Sequence, residues 1–336
     1  MGFIFAIPAA VLAFFARLGW VRGIALLVGA AFSFVLMVSL IGNAATYFSN
    51  PPAPLAADEF HKEPRHLALS SDGPFGKFDK QQIQRGFQVY SEVCSACHSM
   101  NLVSFRDLKG LGYNDAEIKK IASDWKTQVP SINPDTGEAA TRKALPSDHI
   151  PAPFPNEVAA RAANNNALPP DLSLITKARE GGAAYVHSLL TGYTNEVGYK
   201  NDKGEELLKK FPDAKTPENL HFNPYFANLN IAMPPPLTAD GQVTYEDGTK
   251  PTVEQMSTDV AAFLVWTAEP NLESRRAAGL AVVIFLLVAT VLAYLAKQQI
   301  WHGPRNYVMG ETGPLDPENK AKTRAAERKA GVAGEA

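Results

Sequence analysis

A run of twenty uncharged residues, 277–296, lies between Arg276 and Lys297 in this chain of 336 residues. An α-helix rises about 1.5 Å per residue, so twenty residues span about 30 Å, the thickness of a bilayer's hydrocarbon core. A run that is apolar on every face is either buried in a large core or spans a membrane, and the charges at both ends favour the span. We therefore expect a transmembrane anchor helix over 275–298, followed by a disordered tail over 299–336.

The N-terminal part of the chain is also apolar. Residues 23–57 contain no charged side chain, and Arg17 and Arg22 precede the apolar run. Small residues follow at 42–44, so the pattern matches a secretory signal with a basic start, an apolar middle and a small-residue cleavage site. The run is also long enough to remain in the membrane. Residues 1–46 are therefore predicted to be a signal peptide or a retained signal anchor, and the sequence leaves both open.

These two segments predict which parts of the chain face which side of the membrane. We expect residues 47–274 to be exported across the membrane. Residues 297–336 carry seven Lys and Arg side chains, and positive charge favours the cytoplasmic side. Arg275 and Arg276 lie on the opposite flank, so the export prediction rests mainly on the first segment.

The charged residues are unevenly distributed along the chain. The total net charge is −2 and the pI is near 6.4, which argues against a nucleic-acid partner. Residues 51–274 have a net charge of −8, and residues 211–274 contribute −7 of it. This acidic segment is either a solvated surface or a docking surface for a basic partner, where charge mainly speeds encounter.

The periodicity of apolar residues favours helices over strands. Ile83, Phe87 and Tyr90 follow Asp79 at helical spacing, and Asp79-x-x-Gln82 resembles a capping box. A short helix is predicted over Gly181–Leu190, with its stop at Gly192. A second capping-box pattern, Thr252-x-x-Gln255, opens a helix that ends near 269–270. Residues 133–167 and 194–236 lack periodicity and are predicted to be long ordered insertions.

Both cysteines of the chain lie within the five residues Cys94–His98, which read Cys-Ser-Ala-Cys-His. This is the attachment pattern of c-type heme, because thiols one helical turn apart can both add to the two vinyl groups of one heme. His98 is then the proximal iron ligand. A thioredoxin-like redox pair needs a βαβ context, and a zinc site needs four ligands where no further cysteine exists. The motif therefore predicts one covalently bound heme c.

The sixth iron ligand decides what such a heme does, since a filled position favours electron transfer and an open one permits catalysis. Met233 is the favoured candidate. It precedes Pro234-Pro235-Pro236, so the chain cannot continue as a helix and forms a rigid loop. Seven other candidates fit surface, core or same-side positions better: His61, His66, Met100, His149, His187, His221 and Met256. The buried propionates of a heme also need partners, and Arg179 is either one of these or a surface arginine.

Several further stretches on both sides of the motif match the sequence pattern of one protein family, in the same order along the chain. They are Arg85–Tyr90, Ala162–Asn165, Leu168–Ser173, Ala178–Arg179, Gly181–Gly182, Ser188–Tyr193, Asn223–Phe226, Ile231–Met233 and Ala268–Pro270. With Cys94–His98 they cover roughly residues 73–300. In this combination the chain resembles the cytochrome c1 family, the heme-bearing subunit of the quinol:cytochrome c oxidoreductase.

The resemblance implies a fold and a set of site residues. The fold is mostly α, a c-type cytochrome core with long loop insertions and a C-terminal transmembrane helix. Met233 matches the family's distal iron ligand, and Arg179 matches the arginine that binds a heme propionate. Pro170, Tyr185 and Phe226 match positions that line the heme pocket. Asn166 departs from the family pattern, where many relatives have glycine.

The resemblance also implies a role and partners. The family takes single electrons from a Rieske iron–sulfur protein and passes them to cytochrome c in a respiratory chain. It does so as an electron-transfer subunit that is no enzyme by itself, bound to cytochrome b and membrane lipid in a dimeric complex. Two alternatives stay open: the heme subunit of a terminal oxidase or a free anchored cytochrome, and a heme enzyme with an open sixth site.

Overall fold

In a computed structural model of the chain, the described residues are 20–51, 53–308, 321, 322, 324, 325 and 328. Arg17 of the predicted signal and most of the predicted tail lie outside them. The predicted mostly helical fold is confirmed. The α-helices are α1 Trp20–Ser49, α2 Ala56–Phe60, α3 Lys80–Glu92, α4 Asp115–Ser123, α5 Glu157–Ala163, α6 Ile175–Ala178, α7 Gly182–Thr191, α8 Leu207–Lys210, α9 Val253–Ala268 and α10 Leu272–Val308.

The described strands are short and pair as three separate antiparallel ribbons. They are β1 Met100–Ser104, β2 Val129–Ile132, β3 Ala139–Arg142, β4 His149–Ile150, β5 His221–Phe222 and β6 Asn230–Ile231. β1 pairs with β4, β2 with β3, and β5 with β6. The predicted insertion at 133–167 thus contains two short strands and helix α5. In the last ribbon His221 is opposite Ile231, which fixes the chain just before Met233.

Helix α3 begins at Asp79, whose side chain accepts hydrogen bonds from the backbone N–H groups of Gln81 and Gln82. The predicted cap is confirmed, but the reciprocal half of the capping box is not formed, because the Asp79 N–H donates to Ser70 Oγ at 3.1 Å. The same holds at the start of α9. Thr252 Oγ1 accepts from the Gln255 N–H, while the Gln255 side chain donates to Asp259 instead of turning back to the cap.

Helices α3 and α9 pack closely and form the centre of the core. Gly86 lies at their crossing, where an added Cβ would stand 2.0 Å from the backbone oxygen of Asp259. Around this contact the ring of Phe263 packs against the rings of Phe87 and Tyr90, at centroid distances of 5.6 and 5.8 Å. The absence of a side chain at Gly86 lets the two helices approach until these rings interlock.

A buried ion pair joins the same two helices. Asp259 is fully buried and accepts hydrogen bonds from Arg85 Nε at 2.8 Å and from Gln255 at 2.8 Å. Arg85 also pairs with Asp247 at 2.6 Å. Burial opposes the charge of Arg85, but its bonds to Asp259 and Asp247 outweigh this, so the pKa of Arg85 is raised.

Helix α7 confirms the short helix predicted before Gly192. Gly181 precedes it in the left-handed region at φ +78°. Gly192 ends it at φ −97°, so a left-handed turn is not the reason for a glycine there. An added Cβ would stand 2.4 Å from the ring of Tyr225. Gly192 is therefore required by close packing against this ring.

Asn166, which departs from the resemblance, takes part in a left-handed turn. Asn165 has φ +51° and Asn166 has φ +64°. Asparagine tolerates this region better than other residues with a side chain, so the turn forms without the glycine.

The chain divides into two compact units. The first comprises residues 1–60 and 200–214 and contains α1, α2 and α8. Phe60 and Phe211 meet edge to face at 6.0 Å between ring centroids, and Lys210 pairs with Glu59 and Glu205. The second unit comprises residues 61–199 and 215–336 and holds the core helices α3, α7 and α9.

Two of the described helices are long and apolar enough to cross a membrane. They cover Val21–Ser49 and Leu272–Trp301, each with a mean hydropathy of 2.7 and with an apolar window of 18 residues in which none is buried. The start of α10 is tied to the segment before α3, since Arg276 donates to the carbonyl groups of Ser71 and Gly76. Glu273 accepts from the Phe78 N–H at 2.8 Å. In this unit the second apolar helix is thus fixed to the core through its first turn.

Candidate heme-binding site

All eight residues that the sequence analysis assigns to the site line one cavity of about 480 Å³ in the second unit. This volume lies within the range of about 300–1,000 Å³ that is usual for cofactor pockets. The eight residues are Cys94, Cys97, His98, Pro170, Arg179, Tyr185, Phe226 and Met233.

The remaining walls are mainly apolar side chains from α6, α7, α9 and the loops around them. They include Leu168, Leu172, Ile175, Val186, Leu189, Leu190, Ile231, Val260 and Leu264. Helices α7 and α9 contribute apolar residues both to the lining of this cavity and to the hydrophobic core. The cavity therefore suits a large, flat and apolar group with a few polar handles.

The two cysteines follow directly after α3. Its last turn leads into a single 3-10 turn over Cys94–Ala96, and the backbone N–H groups of Cys97 and His98 both donate to the Cys94 carbonyl, at 3.1 and 2.9 Å. The two thiols are free, with Cys94 half-buried and Cys97 exposed. Burial and the neighbouring Cys97 raise the pKa of Cys94 to about 12. The turn places both thiols and the imidazole at the same cavity.

A carbonyl group orients His98. His98 Nδ1 lies 2.8 Å from the backbone oxygen of Pro170. Because a carbonyl only accepts, Nδ1 carries the proton and Nε2 keeps its lone pair. Burial lowers the pKa of His98, against the opposing effect of the bond to Pro170. The imidazole is therefore neutral at pH 7, with one nitrogen available as a metal ligand.

Asp171 was missed by the sequence analysis. Its carboxylate accepts from Ser99 Oγ, the Asn101 N–H and the Ser173 N–H, at 2.8, 2.8 and 2.9 Å. The Leu172 N–H adds a bond to the Ser99 carbonyl at 2.9 Å. These contacts join the segment after His98 to the loop that carries Pro170. An aspartate two residues before a serine is a common turn pattern, but its long-range partners leave no mark in the sequence.

Met233 lies on the loop that follows β6. It is partly buried and packs against the hydrophobic core, and its carbonyl accepts a hydrogen bond from the Tyr193 hydroxyl at 3.0 Å. The prolines at 234–236 follow, so the loop is braced as the sequence predicts. The role of Tyr193 was not predicted, because it lies 40 positions away along the chain.

Arg179 is the cation of the cavity lining. It is exposed, and its guanidinium forms no hydrogen bond or ion pair with any residue that the structure describes. Burial raises the pKa of Tyr185, and the positive charge of Arg179 opposes this effect. Arg179 is thus free to pair with an anionic group at the edge of the cavity.

None of the seven other methionine and histidine candidates lines this cavity. Met100 and Met256 are fully buried core residues. His187 is buried in a hydrogen-bonded position, with Nδ1 at 2.9 Å from Ser257 Oγ and Nε2 at 3.0 Å from Glu254. The other four candidates lie elsewhere: His61, His66 and His149 are exposed, and His221 lies in β5 beside a separate groove.

Two thiols, a histidine and a proline-braced methionine lie around one apolar cavity on a mostly helical framework, which is the pattern typical of c-type cytochromes. Comparison with known proteins narrows this class. The model of the Cytochrome C1 family matches residues 69–303. The chain therefore belongs to the cytochrome c1 family.

Individual relatives agree with the family match. The chain is 46% identical to cytochrome c1 of Rhodospirillum rubrum over 238 residues, which is 68% of this chain and 84% of the relative. It is 43% identical to cytochrome b/c1 of Bradyrhizobium diazoefficiens over 253 residues, 73% of this chain but 36% of that longer protein. It is 43% identical to the mitochondrial cytochrome c1 heme protein of Saccharomyces cerevisiae over 249 residues, 74% of this chain and 75% of the relative.

Proposed function

We propose that this protein holds one heme c in the cavity and uses it to transfer single electrons. In this proposal Cys94 and Cys97 form the thioether links, and His98 and Met233 are the axial iron ligands. The observation that carries the proposal is the convergence of all four residues on one apolar cavity. They come from two segments more than 130 positions apart, so the sequence spacing alone does not bring them together.

The residues of the cavity fit this group in their chemistry. His98 offers a neutral imidazole whose free nitrogen is Nε2, because its other nitrogen donates to Pro170. Met233 offers a thioether on a loop that its prolines keep from forming a helix. Two free thiols stand one turn apart, as covalent attachment to two vinyl groups requires. When bound, the heme supplies a one-electron Fe(III)/Fe(II) couple.

The rest of the chain sets the environment of this couple. The apolar walls exclude water, and low polarity around the iron together with histidine–methionine ligation favours the ferrous state. Arg179 lies free at the cavity and pairs with a propionate in this proposal. Tyr185, Phe226 and Pro170 line the pocket, and Pro170 also holds the proton on His98 Nδ1. The protein is therefore an electron carrier that makes and breaks no substrate bond, hence no enzyme by itself.

The electron donor in this proposal is a Rieske iron–sulfur protein, and the acceptor is a cytochrome c. The proposal includes cytochrome b as a partner, which is supported by the relative named cytochrome b/c1, in a dimeric quinol:cytochrome c oxidoreductase. Residues 211–274, with a net charge of −7, suit a basic acceptor, because complementary charge raises the rate of encounter.

The two apolar helices support an attachment to membrane lipid. In this proposal α10 anchors the protein in the bacterial plasma membrane, the heme domain lies on the periplasmic side, and the tail after 298 lies in the cytoplasm. Residues 1–46 are a signal peptide or a second anchor. The first turn of α10 is bonded to the core of its unit, so the anchor would hold this unit at the membrane surface.

Purification of the full chain from its own membranes tests the proposal. A C-terminal affinity tag should recover covalent heme on the tagged chain, together with a cytochrome b and a protein with a Rieske-type [2Fe–2S] signal. A short-chain quinol should then reduce the heme, and an inhibitor of quinol oxidation should prevent this. Recovery of the heme chain with oxidase subunits, or rapid binding of carbon monoxide to the native ferrous protein, would contradict it.

A further inference from the structure

The loop that carries Met233 is held at three points. Before it, Ile231 pairs with His221 in the β5–β6 ribbon. After it, Gln242 Nε2 donates to the Pro236 carbonyl at 2.8 Å. Between these points the prolines at 234–236 have no N–H group, so they cannot anchor the loop through backbone donors. The Tyr193 hydroxyl donates a hydrogen bond to the carbonyl of Met233 itself, at 3.0 Å.

Tyr193 is itself firmly placed. It follows α7 directly, after Gly192, whose Cα packs against the ring of Tyr225. Asn223 Nδ2 donates to the Leu189 carbonyl at 2.8 Å and joins the end of α7 to the chain near β5. Because the Met233 carbonyl can only accept, the Tyr193 hydroxyl is the donor of the bond between them.

Helix α7 also forms a wall of the cavity through Tyr185, Val186, Leu189 and Leu190. Tyr193 therefore connects this wall to the loop that carries the sixth ligand. A flexible thioether stays on a metal only if its backbone is fixed at a suitable distance, since methionine has three rotatable side-chain bonds.

We propose that Tyr193 is a positioning residue for the iron site, and that its hydroxyl keeps Met233 in place as the distal ligand. The inference rests on the proposed function. It predicts that loss of the hydroxyl weakens the hold of Met233 on the iron while the rest of the fold persists. The pairing of Ile231 and the bond from Gln242 remain to hold the loop, so the variant should fold.

Competition by imidazole measures the effect in the full-length heme protein. Imidazole replaces methionine on ferric heme, and the far-red sulfur-to-iron band disappears as it binds. A neutral hydrogen bond is worth about 0.5–1.5 kcal/mol, so Tyr193→Phe should lower the apparent Kd for imidazole about twofold to twelvefold. The covalent heme content and the helix unfolding midpoint, measured by circular dichroism, should match the native protein.

Tyr225→Phe is the matched control. Tyr225 lies close to the same turn, but its hydroxyl forms no hydrogen bond with any residue that the structure describes. Its imidazole Kd should remain that of the native protein. Replacing Tyr193 by 4-aminophenylalanine restores a donor and should return the Kd toward the native value.

The outcomes separate this inference from the proposed function. If the native protein shows the far-red band and Tyr193→Phe changes the imidazole Kd less than twofold, or no more than Tyr225→Phe does, Tyr193 has no positioning role. If the native protein has covalent heme but lacks the band, Met233 is not the ligand, and both proposals are wrong on this point. If 4-aminophenylalanine fails to restore the Kd, the effect of Tyr193→Phe does not come from the lost donor, and the hydrogen-bond account is overturned.

Discussion

The charge of the single residue Arg179 should affect the reduction potential of the heme. Its guanidinium lies free at the cavity, and a positive charge near the heme stabilises the reduced state relative to the oxidised state. We expect Arg179→Gln to lower the reduction potential by on the order of 60 mV, which corresponds to a tenfold change in a one-electron equilibrium. Potentiometric titration of the heme absorbance measures the shift.

Arg106→Gln is the control for this change, because Arg106 is exposed and does not line the cavity. Its potential should remain close to that of the native protein. Equal shifts in both variants would show that only the overall charge matters. An unchanged potential in Arg179→Gln would contradict the pairing of Arg179 with a propionate.

Arg85 is a single residue whose charge should affect the stability of the core. Its removal leaves the carboxylate of Asp259, which is fully buried, without its counter-charge. Breaking a buried pair in this way typically costs about 3–5 kcal/mol, so Arg85→Met should lower the free energy of unfolding by about this amount. Denaturant unfolding followed by circular dichroism measures it.

Two further variants show whether the loss of stability comes from the unpaired buried charge. The double variant Arg85→Met/Asp259→Leu should recover most of the loss, because no unpaired charge remains buried. Lys109→Met breaks an exposed pair with Asp115 and should change the stability by less than about 1 kcal/mol. A loss as small in Arg85→Met as in Lys109→Met would show that the buried pair has no special role.

Single residues differ in how well the sequence predicts them. All eight predicted site residues line the cavity. They could be predicted because motif spacing and the family resemblance identify them directly. Asp171 and Tyr193 were missed, since each acts through a contact 40 or more positions away and bonds to backbone groups of any residue type. Such contacts depend on how loops fold back and leave no periodic pattern.

At the scale of elements, the crossing of α3 and α9 depends on one glycine. An added Cβ at Gly86 would stand 2.6 Å from Phe263 Cβ and closer still to the Asp259 oxygen, so the helices must separate. Overpacking of a core typically costs about 1–3 kcal/mol, and we expect Gly86→Ala to destabilise the protein by at least this much, despite the better helix propensity of alanine. Thermal unfolding followed by circular dichroism measures the change.

Gln81→Ala is the matched control on the exposed face of the same helix. It should leave the midpoint within a degree or two of the native value, since surface changes are usually within about 0.5 kcal/mol. A neutral or stabilising Gly86→Ala would mean that the two helices lie farther apart than described.

Elements were predictable where apolar periodicity or a cap residue is present. Helices α3, α7 and α9 begin and end within two residues of the expected positions, because Asp79, Gly181 and Thr252 mark their starts. The predicted reciprocal contact of each capping box was wrong. The Asp79 N–H donates to Ser70 instead, and the Gln255 side chain donates to Asp259. The strands β4, β5 and β6 have two residues each, which is too short for an alternating pattern.

At the scale of the whole molecule, the proposed orientation of α10 in the membrane can be tested with reporter fusions on either side of the helix. With the tail after 298 in the cytoplasm, green fluorescent protein fused at the C-terminus should fluoresce, and alkaline phosphatase fused there should be inactive. Fusions after residue 270 should give the opposite result, because that position lies before α10. Active phosphatase at the C-terminus would contradict the proposed orientation.

The whole-molecule organisation follows less directly from the sequence than the site does. Length and hydropathy predict both apolar helices, because each is a continuous run of apolar residues that can be read directly from the sequence. The grouping of 200–214 with the N-terminal unit was not predicted, since it depends on contacts such as that of Phe60 with Phe211, which are 151 positions apart.

The central claim is that His98 and Met233 hold a closed electron-transfer heme. The most direct test is the far-red spectrum of the oxidised full-length protein, where a sulfur-to-iron band appears only when methionine is bound. We predict the band in the native protein. In Met233→Leu, which retains covalent heme, we predict its loss and a reduction potential lower by on the order of 0.1 V, within the range of about 0.8 V that axial ligands set. A native protein without the band, or a Met233→Leu variant that keeps both band and potential, would contradict the account.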